Sequence, residues 1–367
     1  LHKTAAGTKA HEDVRVPITD LLQGTNVKFV KAEAASIDPA GHKLTFADGS
    51  EQKYDKLVVA LGSAPEFFGI AGLEQNGLVL RSHDTAVQIR EHIEAEFRAA
   101  VQAKSAAERR KHLTVIVGGG GLTGVEFAGE LADSLPELAK RLGLDPSEVK
   151  IVVLEALPEI LRGFDEKLIS AARARLDRIG VEVKVNAKIV GVEPAVTKLD
   201  GGVEIESNTF VWTGGVRGHK ITEACLDCHP KARGRANVNE YLQSPSSPDI
   251  YVIGDTALAM DPAKNAPVPP TAQNAEFQGE TVVHNLAAEI NGGKAATKYD
   301  AKNMGVTASV GHGFGLAHTF GFKFTGLIAA WAKWYVTWRW EYLIGATRVP
   351  KSRRATVSHG PSATVAK

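Results

Sequence analysis

Val115-Ile116-Val117-Gly118 runs straight into Gly119-Gly120-Gly121-Leu122-Thr123-Gly124, and Val125-Glu126-Phe127-Ala128-Gly129-Glu130-Leu131 continues with helical spacing. A G-x-G-x-x-G pattern alone is a weak signal, but between a buried strand and a helix it reads as a dinucleotide-binding fingerprint. Each glycine has a physical task. Gly119 permits the tight turn, Gly121 lets the backbone approach a pyrophosphate, and Gly124 allows the helix to pack closely on the strand. The positive end of the helix dipole then faces the phosphates. The next apolar strand, Ile151-Val152-Val153-Leu154, ends in Glu155. A carboxylate there accepts hydrogen bonds from a ribose 2′-hydroxyl and repels a 2′-phosphate, so NADH is expected over NADPH.

Working outward, the pattern is α/β throughout. Downstream of the fingerprint come a helical stretch at about Lys167–Ile179 and strands as far as Trp212, which completes a βαβ unit with further strands after it. Upstream, a helical pattern from Ser82 to about Ala107 ends in the polar stretch Lys104 to Lys111. Before it, short apolar runs at Val27–Val30, Leu44–Phe46 and Leu57–Leu61 alternate with turn chemistry such as Asp48-Gly49, and are expected to be strands. A strand at Ile250–Ile253 ends in Gly254-Asp255, a second place where a carboxylate at a strand end could take sugar-like hydroxyls.

Composition narrows the class. With 367 residues, 44% hydrophobic and 23% charged, the chain is long enough for two or three packed domains. Its 43 Lys and Arg against 42 Asp and Glu give no overall footprint for nucleic acid. The two cysteines, Cys225 and Cys228, are too few for a disulfide-stapled scaffold and lack a second pair for a metal, so they read as incidental to a loop and no metal is expected. No run of about 18 uninterrupted apolar residues offers a spanning helix.

Four motifs in order now carry a resemblance: Tyr54-Asp55-Lys56-Leu57-Val58-Val59-Ala60-Leu61-Gly62-Ser63, the Gly119–Glu130 fingerprint, Val211-Trp212-Thr213-Gly214-Gly215, and Tyr251-Val252-Ile253-Gly254-Asp255. The chain resembles the flavoprotein reductases with two dinucleotide-binding domains. Within them it is most similar to the type II NADH:quinone oxidoreductases, through Pro269-Pro270-Thr271-Ala272-Gln273-Asn274-Ala275-Glu276-Phe277-Gln278. The resemblance implies two Rossmann-like domains, binding FAD and NADH. Residues 1–79 and 216–305 would form the FAD domain, residues 80–215 the NADH domain and residues 306–367 a membrane-associating region. The family opens with its own strand–GxGxxG–helix for FAD, whereas Leu1–Thr8 resembles the segment C-terminal to that unit, so the FAD domain is expected to be incomplete.

The resemblance also implies roles. FAD would meet Gly62, Gly254 and Asp255, with the flavin ring at the helix N-terminus formed by Thr271 and Ala272. Gln273 and Gln278 would flank the quinone, and Glu126 would face the flavin and nicotinamide. The expected activity is electron transfer from NADH to a membrane quinone without proton pumping, by a homodimer peripheral to the cytoplasmic side of the cell membrane. A sulfide:quinone oxidoreductase and a non-catalytic nucleotide-binding membrane protein are the alternatives. Leu327, Trp331, Trp334, Trp338 and Tyr342 share one helical face, with Lys333 off that face, Glu341 at its border and Trp340 opposite it, so the amphipathicity is imperfect. After Glu341 the sequence holds Arg348, Lys351, Arg353, Arg354 and Lys367 and no acid, so this region reads as a lipid-surface anchor.

Overall fold

The computed structural model describes residues 1–228, 232–302 and 304–349; the basic residues Lys351, Arg353, Arg354 and Lys367, and His229 beside the cysteines, lie outside them. The chain is an α/β protein that divides into two compact units, Leu1–Phe29, Phe67–Gly214 and Met304–Lys367 forming one, and Val30–Glu66 with Gly215–Asn303 the other. Residues 1–29 and 67–79, assigned above to the flavin domain, thus pack within the first unit. The reason is apolar: Ala5 and Ala6 of the short helix His2–Ala6 are buried in the core formed with His83–Val101 and Leu122–Arg141.

The first unit is built on a five-stranded parallel sheet ordered Leu78–Val79, Thr209–Trp212, Thr114–Gly118, Lys150–Leu154, Val181–Lys184. Val115, Ile116 and Val117 are all fully buried, as an unbroken apolar run requires when both sheet faces are covered. Alternation sorts the faces. Val115, Val117, Ile151 and Val153 meet helices His83–Val101, Leu122–Arg141 and Glu166–Arg178. Ile116, Val152, Leu154 and Phe210 meet the antiparallel meander Ile189–Glu193, Val196–Leu199, Glu204–Glu206. A second antiparallel sheet, Val306–Ser309, Gly315–Thr319 and Phe322–Gly326, carries the aromatic helix Leu327–Leu343.

The second unit pairs Leu57–Val59 in parallel with Ser247–Val252, in the register Ile250↔Leu57 and Val252↔Val59. It also holds a meander of Ala34–Asp38, Lys43–Phe46 and Glu51–Lys53 and the long helix Ala272–Ile290.

Two local expectations fail. Val27–Val30 forms no strand, and Val27, Phe29 and Val30 are exposed: an apolar run becomes a strand only when it finds a neighbour to pair with. The polar stretch from Lys104 is largely helical, Ala106–Leu113, because Ser105 Oγ caps it by accepting from Glu108 N at 3.1 Å. Among the described residues no helix is long and apolar enough to cross a membrane.

Candidate functional site

The fingerprint of the first unit folds as its glycines require. Gly119 has φ +112°, and a Cβ there would lie 2.6 Å from the Gly214 Cα. A Cβ on Gly124 would collide with the Gly119 carbonyl oxygen, so only glycine lets the helix sit this close to the loop. A Cβ on Gly121, in contrast, would meet nothing within 4 Å. Gly121 is also the N-cap of Leu122–Arg141, and no side chain caps this helix end. The loop therefore presents an open face and first-turn N–H groups without intrahelical acceptors, an anion-binding arrangement that fits a pyrophosphate.

Glu155 closes one side of this loop. Its Oε2 accepts from Gly120 N at 2.7 Å and its Oε1 from Leu157 N at 2.9 Å. An ionised carboxylate has about four lone-pair sites, so it retains acceptor capacity toward ribose hydroxyls.

Glu126 is drawn into the C-terminal segment. It is 5% exposed, and its Oε1 accepts from Ser309 N at 3.0 Å and from Ser309 Oγ at 3.3 Å, while Lys333 Nζ of the aromatic helix lies 3.0 Å from the same oxygen. His2 Nδ1 lies 3.7 Å from Oε2. Burial pushes the Glu126 carboxyl up, but Lys333, His2 and the Ser309 N–H outweigh it and leave the group below the usual carboxylate range. Burial lowers the His2 imidazole against the opposing pull of Glu126. The cluster is thus a buried carboxylate held by the Lys333 ammonium with the His2 ring beside it. One turn on, Glu130 accepts from Thr8 Oγ1 at 2.5 Å. Ser309 and His2 carry no site signal in the sequence; for Lys333 only its position off the aromatic face hints that it turns inward.

The second unit gathers the other candidates. Ser63 Oγ donates to Asp255 Oδ2 at 2.9 Å, directly after the strand pair that carries Gly62 and Gly254 to one end of the sheet, both with positive φ. Thr271 Oγ1 caps the helix Ala272–Ile290 by accepting from Asn274 N at 3.3 Å, and Thr271 and Ala272 are exposed at its N-terminus. Gln278 is 2% exposed and its Oε1 accepts from Gly254 N at 2.6 Å, so it braces the Gly254-Asp255 turn. Gln273 is half-buried. Arg235, which carries no sequence signal, donates to Ala257 O at 2.6 Å and to Val268 O at 2.9 Å, tying the segment after Asp255 to the one before Pro269. An acceptor carboxylate at a strand end and a helix N-terminus are the donor and acceptor types that a flavin nucleotide needs, and in this respect the residues fit FAD.

Both cysteines are half-buried in structural contacts. Cys225 Sγ accepts from Ile37 N at 3.4 Å, and Cys228 Sγ donates to Thr222 O at 3.3 Å. Burial, with Glu223 and Asp227 nearby, pushes the Cys228 thiol up to about 11, which keeps it protonated and weakly nucleophilic. Among the described residues no group of His, Cys, Asp or Glu is placed to hold a metal ion.

The aromatic helix has two unlike sides. Ala329 and Lys333 face its supporting sheet, Ala329 fully buried and Lys333 Nζ donating to Thr307 O at 3.4 Å. On the opposite side Trp331 stacks on Tyr335 at 6.1 Å between ring centroids, Trp334 on Trp338 at 6.4 Å and Trp338 on Tyr342 at 5.7 Å. This ladder is exposed, Trp331 at 64%.

Residues 1–279 match the family model for pyridine nucleotide-disulphide oxidoreductases. A type II NADH:quinone oxidoreductase of Staphylococcus aureus is 36% identical over 348 residues, 94% of this chain and 85% of the relative. The counterpart in Staphylococcus haemolyticus is 35% identical over the same shares. Among solved structures, NDH2 from Plasmodium falciparum in complex with NADH superposes with a TM-score of 0.82 at 18% identity, covering 92% of this chain and 85% of that one. The sulfide:quinone oxidoreductase of Aquifex aeolicus has a TM-score of 0.73 at 19% identity, covering 94% and 81%, and shows a shared fold.

Proposed function

The chain belongs to the pyridine nucleotide-disulphide oxidoreductase family and, within it, to the type II NADH:quinone oxidoreductases, and from that premise we propose that it couples NADH oxidation to quinone reduction at a membrane surface. The overall reaction is NADH + H⁺ + quinone → NAD⁺ + quinol. The observation that carries the nucleotide half is the fingerprint loop, whose Gly121 face is open, whose helix end has no side-chain cap and whose flank is Glu155.

Bound FAD would supply the redox chemistry that links NADH oxidation to quinone reduction. In this chain Asp255, steadied by Ser63, would accept from flavin-nucleotide hydroxyls, with Gly62 and Gly254 giving the close backbone approach. The N-terminus at Thr271 and Ala272 would favour negative charge on the ring. Gln278, whose Oε1 braces the Gly254 turn, and Gln273 at the start of the same helix would flank the quinone. Glu126, anchored by Lys333 and Ser309, is a carboxylate positioned by the same helix that carries the membrane face.

We read that helix as a peripheral anchor. Its Trp and Tyr ladder suits the headgroup region, and the basic, acid-free sequence after Glu341 suits anionic lipid. The sulfide-oxidising alternative finds no support in the raised thiol of Cys228. The test is a steady-state assay of the FAD-loaded chain with a water-soluble quinone: quinone-dependent NADH oxidation is expected, and quinone reduction driven by sulfide but not by NADH refutes the reading.

A further inference from the structure

Thr319-Phe320-Gly321-Phe322 closes the hairpin of Gly315–Thr319 and Phe322–Gly326, with Thr319 paired to Phe322. The two central residues both have positive φ, 50° at Phe320 and 80° at Gly321. That is the signature of a type I′ turn, which favours Asn, Asp or Gly at its first position. A phenylalanine there is held in a left-handed conformation that its side chain disfavours. Its ring gains nothing from the fold in return: Phe320 is 78% exposed and Phe322 73%.

The pairing register shows where this tip points. Gly315 and Gly326 are partners, and Gly315 packs closely on the backbone of Ala329 and Ala330 in the aromatic helix. Side chains alternate along a strand, so Ala317 and Thr319, and with them their partners Phe324 and Phe322, lie on the face that carries that helix. The other face is tied down: Leu316 is buried in the core and Lys323 Nζ bonds Asp165 at 2.6 Å. The hairpin is therefore braced on one side while Phe322 projects on the same side as the helix, with Phe320 at the tip between.

We propose that the Phe320–Phe322 tip is a second membrane-insertion point, which enters the headgroup–acyl boundary of an anionic bilayer beside the aromatic helix. The proposal rests on the peripheral-anchor reading given above. The tip projects from the sheet face that carries the aromatic helix with its exposed Trp and Tyr ladder, and the acid-free basic sequence after Glu341 complements anionic headgroups. Strain and exposure that oppose folding at one position are explained when the ring is buried by lipid. Two separated contacts also fix how the unit is oriented on the surface, whereas contact along one helix alone lets the whole unit rock about that line.

The test compares the full chain with Phe320→Asn/Phe322→Thr and with Trp331→Ser/Trp334→Ser, by co-sedimentation with phosphatidylcholine–phosphatidylglycerol vesicles. Asn suits the turn better than Phe, so the tip variant should unfold at the same temperature or higher and oxidise NADH with a water-soluble quinone at the wild-type rate. Its vesicle partitioning should be weaker by about tenfold or more, as expected for removing two partly inserted rings. Unchanged partitioning of the tip variant, while the helix variant is released, overturns the tip and leaves the helix reading standing. Failure of the wild type to sediment with vesicles removes the helix reading and the tip together. A drop in oligomeric mass of the tip variant without lipid, with vesicle binding retained, assigns the rings to a second copy of the chain and also overturns the proposal.

Discussion

Gly121 and Gly124 stand three residues apart in one loop yet answer to different constraints. A Cβ at Gly124 would strike the Gly119 carbonyl, whereas one at Gly121 would meet open space. Gly124→Ala is therefore expected to destabilise the fold by about 1–3 kcal/mol through overpacking. Gly121→Ala should keep the wild-type unfolding temperature while weakening NADH binding, because it fills the approach of the pyrophosphate. Equal effects of both variants on stability would contradict the assignment. Glu155→Gln should lower the NADH/NADPH ratio of kcat/KM, and an unchanged ratio would remove the ribose role. Glu126→Gln leaves Lys333 without its carboxylate. A loss of about 1–3 kcal/mol at neutral pH is expected, less than for a fully buried pair because Lys333 is partly exposed. The folded-state shifts of Glu126 and His2 are both downward. The Glu126 contribution is present above its unfolded value and fades as pH falls through the folded one, so the gap between Glu126→Gln and wild type should narrow in acid, as denaturant unfolding at two pH values will show.

At the scale of elements, the helix Leu122–Arg141 joins two tasks. Its N-terminus faces the fingerprint loop, and its first buried carboxylate, Glu126, holds the sheet and helix of the C-terminal segment through Ser309 and Lys333. The aromatic helix in turn keeps Ala329 and Lys333 inward and its ring ladder outward. Trp331→Ser/Trp334→Ser should release the protein from vesicles without a change in unfolding temperature, since exposed rings contribute little to folding; a marked loss of stability would mean that the ladder serves the fold. The elements were legible where local physics decides them. The run Thr114–Gly118 and the fingerprint helix follow from periodicity and glycine spacing. Val27–Val30 and Lys104–Lys111 misled because pairing and capping, to which apolar content is blind, decided them.

For the molecule as a whole, the order of four motifs made the α/β class and the nucleotide chemistry readable, because each motif is a local solution to binding a phosphate or ending a strand. What stayed hidden was tertiary. Nothing near Glu126 in the chain announces Lys333, more than two hundred residues later, and Arg235 became visible only when Ala257 and Val268 were brought to it. The compact units likewise join residues 1–29 to residues 67–214 through buried alanines with no marked pattern. The proposed activity reduces to one redox cycle. Visible absorption of the FAD-loaded chain under anaerobic conditions should bleach when NADH is added and recover once a water-soluble quinone is supplied. A flavin band that NADH leaves unchanged, or a chain that retains no flavin at all, would contradict it.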